Sequence, residues 1–307
     1  MSDLLSRYGA LLTTVFVILT GFWLLVLIVL PNIYLFEHSF RPYLPVAEVG
    51  GPKDVWSLNN YLKIIDSPTE VSVLGLKLMV PIHLQVFFNT IFFSALVTFI
   101  CFLMAYPLAY YLSKVSARAL IPTIFLLLFV PLWVSEVLRS FAWFIILALK
   151  GPLNAGLLGL GIIEDPVRWI TGFRGVIIGL VYTYVLFMLF PLYNAIQSLD
   201  SNQIEAAEDL GAPWWRIHWR VILPHAKPGI ASGSVMVFML SAGSILVPTL
   251  LASTNSRWFT EIIQQWMFES QDWNTGSAYA FLLLILCTVF VSVVMRVFRV
   301  KLSDIAK

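Results

Sequence analysis

Glu136 is the one acidic residue close to the apolar part of a long hydrophobic run, and it stands among aromatic and hydroxyl side chains. Trp133, Ser140 and Trp143 lie at steps of three, four and three around it, which is the spacing of one face of a helix. A carboxylate flanked by two indoles suits an ammonium group, through an ion pair together with cation–π contact. A charge inside a membrane segment faces a bundle interior or a water-filled cavity. A structural reading stands beside this one. Arg139, three residues on, is spaced to pair with Glu136, and both tryptophans suit a membrane–water interface. Ser241, Ser244 and Thr249 in a later apolar run divide in the same way, between lining a cavity and hydrogen-bonding between helices.

The most polar stretch of the second half, residues 197–229, offers a docking surface rather than a reacting group. It reads Glu205-Ala206-Ala207-Glu208-Asp209-Leu210-Gly211-Ala212-Pro213 and continues to Arg220-Val221-Ile222-Leu223-Pro224. Asp200 or Ser201 caps the start of a short helix and adds negative charge or polarity there. Gly211 suits its left-handed end. A second short helix follows, with Pro224 as its expected stop. Ala206 and Ala207 keep a face of the first helix small, and Glu205 and Asp209 make it acidic, as a helix seated in a partner's groove requires.

Much chemistry is excluded. No G-x-x-x-x-G-K-[ST] loop is present to cradle ATP phosphates, and there is no G-x-S-x-G, H-E-x-x-H or paired-cysteine motif. His38, His83, His218 and His225 are scattered, so no metal site is expected. Cys101 and Cys287 sit in apolar runs as small hydrophobes, not as a disulfide. A net charge of +2 without a Lys/Arg run gives no footprint for a nucleic acid. A membrane-embedded enzyme, such as a lipid-modifying transferase, would need several acids or histidines at one depth, and Glu136 stands alone.

The elements that position these residues are membrane helices. The chain is 59% hydrophobic and 12% charged, against about 25% charged in soluble domains, with a mean hydropathy of +0.87. Six runs are long enough to span, at 11–35, 87–112, 120–138, 176–196, 230–251 and 278–297. The first is too long for a cleaved signal segment and reads as a retained helix. Residues 141–149 form a shorter apolar stretch, re-entrant or interfacial, and 56–65 a short amphipathic helix. Pro107, Pro131, Pro191 and Pro248 sit in or beside spans, as packing kinks or as breaks along a pathway. Trp258, Trp266 and Trp273 suit an aromatic belt. Six spans put both termini on one side, with Arg7, Lys114, Arg118, Arg216, Arg220, Lys227, Arg296, Arg299, Lys301 and Lys307. Most acids, including Glu261, Glu269 and Asp272, fall on the other. Both termini are therefore expected in the cytoplasm.

The polar loop carries a family resemblance. E-A-A-x-x-x-G followed by I-x-L-P, here EAAEDLGA…VILPHAKPGI between two spans, resembles the signature loop of ABC importer permeases. Ser57-Leu58-Asn59-Asn60-Tyr61, Asn89-Thr90, Tyr106-Pro107-Leu108-Ala109-Tyr110, Val130-Pro131-Leu132-Trp133 and Arg139-Ser140-Phe141-Ala142-Trp143 are similar to elements of the spermidine/putrescine (PotB-like) permeases. The resemblance implies an all-α integral membrane protein with the six-transmembrane-helix type I ABC importer permease fold, one domain over residues 1–307, in a bacterial inner membrane. It makes Glu205, Ala206, Ala207, Asp209 and Gly211 the coupling helix. It makes Trp133, Glu136, Trp143, Ser241 and Ser244 candidates for the substrate path. The implied partners are two cytoplasmic ATP-binding subunits, which hold the ATP and Mg that this chain does not, a second related permease in a heterodimer, and a periplasmic substrate-binding protein. The implied solute is a polyamine, with opines, other amines and phosphonates carried by relatives.

Overall fold

The computed structural model describes residues 2–45, 48–66, 68–73, 76–117, 119–253 and 256–300; Arg118, Lys301 and Lys307 of the charge count lie outside them. Among the described residues the regular structure is helical apart from one hairpin. Helices α1 (Ser2–Leu24) and α2 (Leu30–Phe40) join through a π turn, and a one-turn α3 (Asn59–Leu62) follows. The hairpin β1 (Pro68–Val73) and β2 (Leu76–Pro81) is antiparallel, with Pro68 opposite Pro81. It leads into α4 (Ile82–Tyr110), which runs through a further π turn to Val115.

Among the described residues five helical runs are long and apolar enough to cross a membrane: Gly9–Phe40, Ile82–Val115, Glu136–Gly159, Arg174–Gln197 and Trp273–Phe298. Four contain expected spans. The other two expected spans are each broken. Residues 120–138 do not form one helix: α5 (Ile121–Trp133) stops after 13 residues, and α6 (Glu136–Leu147) starts afresh. Val134 and Ser135 between them are extended, and the Ser135 hydroxyl accepts from the Leu138 amide at 3.3 Å. Apolar periodicity misses this because a serine cap competes locally with helix continuation. The stretch 141–149 thus belongs mainly to α6, and the short α7 (Pro152–Gly159) follows it.

The span expected at 230–251 is likewise α12 (Lys227–Ala242) and α13 (Leu246–Leu251), with a break at Gly243–Ile245. Pro248 explains the break, since it lacks the N–H that a continuous helix would aim at the Ser244 carbonyl. Thr260, on α14 (Phe259–Gln264), supplies the missing donor at 2.6 Å. The helix expected over 56–65 shrinks to α3. Its Asn60 amide donates to the Ser39 and Arg41 carbonyls, and its Tyr61 hydroxyl to Ser39 Oγ.

Helix α8 (Arg174–Gln197) is the centre of the packing, buried against α4 on one side and α12 on the other. The α8–α12 crossing is close because glycine permits it. A Cβ on Gly229 would lie 2.5 Å from the Pro191 carbonyl oxygen and 2.6 Å from Ala195 Cβ. The last long helix, α15 (Trp273–Phe298), packs on α12 and carries α2 on its outer flank. By contrast, from Gly9 onward α1 exposes nearly all of an apolar surface, Thr13 apart. Water would penalise that arrangement and lipid does not.

Gly229→Ala is expected to lower the unfolding temperature of the detergent-solubilised protein, because overpacking a close crossing costs about 1–3 kcal/mol. Gly21→Ala should leave it unchanged, since nothing lies within 4 Å of a Cβ there.

Candidate functional site

The polar loop after α8 folds as the sequence predicts at its first helix. α9 (Ser201–Asp209) is capped by Asp200, whose side chain accepts from the Asn202 amide at 3.0 Å. Gly211 has φ +73°, its N–H reaches the Glu208 carbonyl at 2.8 Å, and the Ala212 N–H reaches Ala207 at 3.0 Å. These two bonds close a Schellman end, which needs the left-handed residue that glycine supplies. Glu205, Ala206 and Asp209 face outward, and neither carboxylate has a partner among the described residues. Ala207 does not share that face; it turns inward with Ile204 against the core. Leu210 is 88% exposed, an apolar residue presented on the surface that sequence reasoning passed over. Its signal was a leucine immediately before a helix-ending glycine, in an otherwise polar turn.

Pro224 is not a stop. The chain continues from α10 (Trp214–Ile217) through a π turn, His218–Ile222, into α11 (Leu223–His225) and then α12. Proline is tolerated there because it stands at the start of a helical turn. The loop is tied to the end of α4. Lys114 Nζ donates to the Leu199 carbonyl. The Tyr106 hydroxyl and His218 Nδ1 are 2.6 Å apart, and the buried imidazole is ringed by Tyr106, Tyr110 and Trp214. Burial pulls His218 below its ordinary value near 6.5.

The second cluster lies where the two helix breaks meet, α6 packing on both α13 and α8. The Tyr184 hydroxyl donates to Glu136 Oε1 at 3.2 Å, and Ser140 donates to the Glu136 carbonyl at 2.8 Å. No ion pair joins Glu136 to Arg139; Arg139 Nε is buried without a hydrogen bond. The Ser241 and Ser244 hydroxyls are buried at the α12–α13 break, unpaired by normal hydrogen-bond geometry, with Ser244 close to the Tyr184 hydroxyl. Their carbonyls are taken up by Trp258 Nε1 and by Thr260. The four-residue face expected around Glu136 does not form. Trp133 belongs to α5, beyond the break, and is 75% exposed, while Trp143 packs edge-on against Tyr182 at 5.2 Å. Tyr184, unremarked in the sequence, replaces them as the aromatic neighbour; a tyrosine in an apolar helix carries no signal until the fold sets it against a carboxylate.

At the far end of α4 the outer acids have structural duties. Glu261 accepts from the Trp258 amide at 2.7 Å and caps α14, and burial raises its carboxyl above the usual range. Asp272 caps α15 and pairs with Lys63 at 2.9 Å. Burial works against its ionisation, but the Thr275 hydroxyl and amide, with Lys63, outweigh it and hold the carboxyl below the ordinary range.

Residues 98–303 match the family model described as binding-protein-dependent transport system inner membrane component. The chain belongs to that family. It is an ABC-importer permease, a multi-pass inner-membrane transport subunit related to the spermidine/putrescine permeases. It is 31% identical over 287 residues to the spermidine/putrescine transport system permease protein PotB of Salmonella typhimurium, covering 92% of this chain and 94% of that protein. It is 35% identical to PotB of Haemophilus influenzae, over 70% of this chain and 75% of the relative. In fold it resembles a chain of the bacterial alginate ABC transporter, with a TM-score of 0.70, 19% identity and 98% and 99% coverage. A chain of the MetNI methionine ABC transporter gives 0.54 and 18% identity, over 70% of this chain and 94% of that one.

Gly211→Val should cut ATP-driven uptake severely while the protein still inserts, because a β-branched residue at φ +73° strains the helix end by about 1–3 kcal/mol. Gly211→Asn should retain much more uptake, since asparagine tolerates that conformation. The imidazole contact carries its own pH dependence. With its folded pKa lowered, His218 resists protonation that the unfolded chain accepts, so its contribution is complete above about 6.5 and declines as pH falls below that value. Protection factors across 214–222, corrected for the intrinsic pH dependence of amide exchange, should fall between pH 7.5 and pH 5.5, and His218→Phe should flatten the change.

Proposed function

We propose that the chain lines half of the translocation path of an ATP-driven importer for a small cationic solute, a polyamine of the spermidine/putrescine class. The observation that carries this reading is the Tyr184–Glu136 contact where the broken helices α5/α6 and α12/α13 meet. Interrupted helices with free hydroxyls at such a point are the common construction of membrane substrate sites. Glu136 supplies the charge that attracts an ammonium group, and the unpaired Ser241 and Ser244 hydroxyls supply hydrogen bonds to it. The relatives named for spermidine and putrescine favour that solute class.

Several contacts support a course of six crossings over the single domain 1–307, with α5–α6 and α12–α13 each counting as one. Arg41 after α2, Lys63 and the start of α15 meet at one end through Asn60, Asn274 and Asp272. The ends of α4 and α8 meet the polar loop at the other. The basic loop end and the acidic opposite end favour cytoplasmic termini. α9 then docks in the cleft of an ATP-binding subunit, Glu205, Ala206, Asp209 and Leu210 making the contact and Ala207 backing it. Gly211 fixes the angle at which that helix ends. Two ATP-binding subunits bind ATP and Mg, a second related permease closes the path, and a periplasmic binding protein delivers solute at the opposite face. Trp143 borders the path beside Tyr182, and the exposed Trp133 marks its edge.

A second reading has its own observation. The buried, unpartnered Arg139 Nε beside Glu136 suits a solute carrying both charges, as an opine or another zwitterionic amine does.

The two readings separate in uptake by the assembled transporter in proteoliposomes. With spermidine as the solute, Glu136→Gln should raise KM about tenfold or more, since a hydrogen bond to a charged group contributes roughly 1.5–3 kcal/mol. Unchanged KM would remove Glu136 from the path. Uptake of zwitterionic solutes in preference to spermidine, lost in Arg139→Gln, would favour the second reading. Glu205→Ala should abolish uptake of every solute with insertion intact, and wild-type uptake would end the coupling assignment.

A further inference from the structure

A groove of about 640 Å³ runs between α4, α12 and α15 on the side away from the Glu136 cluster, and the function above makes no use of it. Its floor and walls are apolar, with Phe99 and Phe102 from α4 and Phe290 and Val294 from α15. Phe99 is exposed along it, so the groove opens on the surface of the helix group that meets lipid. One end is different. There Trp219 stands 70% exposed beside Lys227, the one charged residue lining the groove. Lys227 has neither an ion pair nor a hydrogen bond among the described residues. Arg216 and Arg220 are exposed on the same polar segment, and no carboxylate lines the groove to neutralise any of them.

We infer that this groove is a binding site for an anionic glycerophospholipid, with an acyl chain along Phe99, Phe102 and Phe290 and the headgroup phosphate on Lys227. Shape and charge make the case together. An apolar trough at membrane depth gains nothing from water and is filled by hydrocarbon. A cation at the end of the trough, level with an interfacial indole, sits at headgroup height and needs an anion there. Basic pockets between membrane helices recruit acidic lipids in this way. A zwitterionic headgroup would leave the positive charge of Lys227 uncompensated, so the site discriminates by charge. The groove also abuts the start of α12, so a seated lipid would brace the polar loop against α4 and α15. The inference is independent of the transported solute.

The test uses the assembled transporter, purified in mild detergent and exchanged into nanodiscs of equimolar phosphatidylglycerol and phosphatidylcholine, with retained lipid counted by native mass spectrometry. The wild type should retain phosphatidylglycerol preferentially. Lys227→Gln should reduce that retention about tenfold without changing phosphatidylcholine, the loss expected when roughly 1.5 kcal/mol of charge-assisted contact goes. Lys227→Arg should keep it. Ser234→Trp, which fills the groove without touching the charge, should lose it too. Equal retention of the two lipids by the wild type overturns the proposal even if no variant folds. So does undiminished phosphatidylglycerol in Lys227→Gln. Capture of the second permease by a photoactivatable side chain placed at Val294 in the assembled transporter would assign the groove to a subunit contact instead and overturn the proposal.

Discussion

A backbone polar group freed inside a bilayer has no water to turn to, and the arrangement of this protein follows from how two helix breaks satisfy theirs, carbonyls at one and an amide at the other. Pro248 cannot donate to Ser244, so α12 cannot continue into α13 as one helix. The donors come from another segment: Thr260 reaches Ser244 and the Trp258 indole reaches Ser241. That segment is itself held, because the Phe259 amide donates to Thr90 Oγ1 on α4 at 3.0 Å. The interruption is therefore fixed by a buried tryptophan and two threonines, and the Ser241 hydroxyl beside it is left without a partner. At the α5–α6 interruption the chain uses a cheaper device, a serine cap, on a more exposed surface.

The two ends of the helix group are held by different chemistry. One end is clamped by charge. Arg41 pairs with Glu37 and Asp54 at 2.7 and 2.8 Å, and its guanidinium is held above its ordinary range chiefly by Glu37. Asp54 is held below its own by the Gly50 amide and then by Arg41. Lys63 lies over the Trp266 ring and bridges to Asp272 and Thr275. The other end is held mainly by rings and by carbonyls, around His218 and Leu199. Exposed ion pairs contribute little each, and a network that includes a buried partner such as Asp272 contributes more. The charged end is thus the more sensitive of the two to salt.

The long helices were legible because twenty apolar residues in a row have one outcome in lipid, and Asp200 and Gly211 were legible because caps and ends are local chemistry. Where the sequence misled, a local competitor overrode periodicity. Ser135 restarts a helix that hydropathy runs straight through, and this moves Trp133 off the face of Glu136. Pro248 was visible, but its consequence depended on Thr260, twelve residues on and in another helix. Tyr184 and Leu210 were invisible for opposite reasons. A tyrosine's role here comes from a partner 48 residues away, and a lone exposed leucine has no pattern to betray it. Ala207 faces inward because adjacent helical residues point about 100° apart, so two consecutive alanines cannot share a surface.

Helix α4 touches both regions. Near one end its Thr90 holds the segment that completes the α12–α13 interruption; near the other, Tyr106 and Lys114 hold the polar loop. Between Thr90 and Tyr106 the helix runs without a proline or a π turn, and an α-helix resists stretching because every turn is bonded to the next. It therefore acts as a strut. A displacement imposed on α9 cannot be absorbed along its length; it must tilt or slide the whole rod, and the far attachment moves with it. The contact beside the α12–α13 break and the contacts to the polar loop are thus the two ends of one helix, and neither can shift along the axis of α4 without carrying the other.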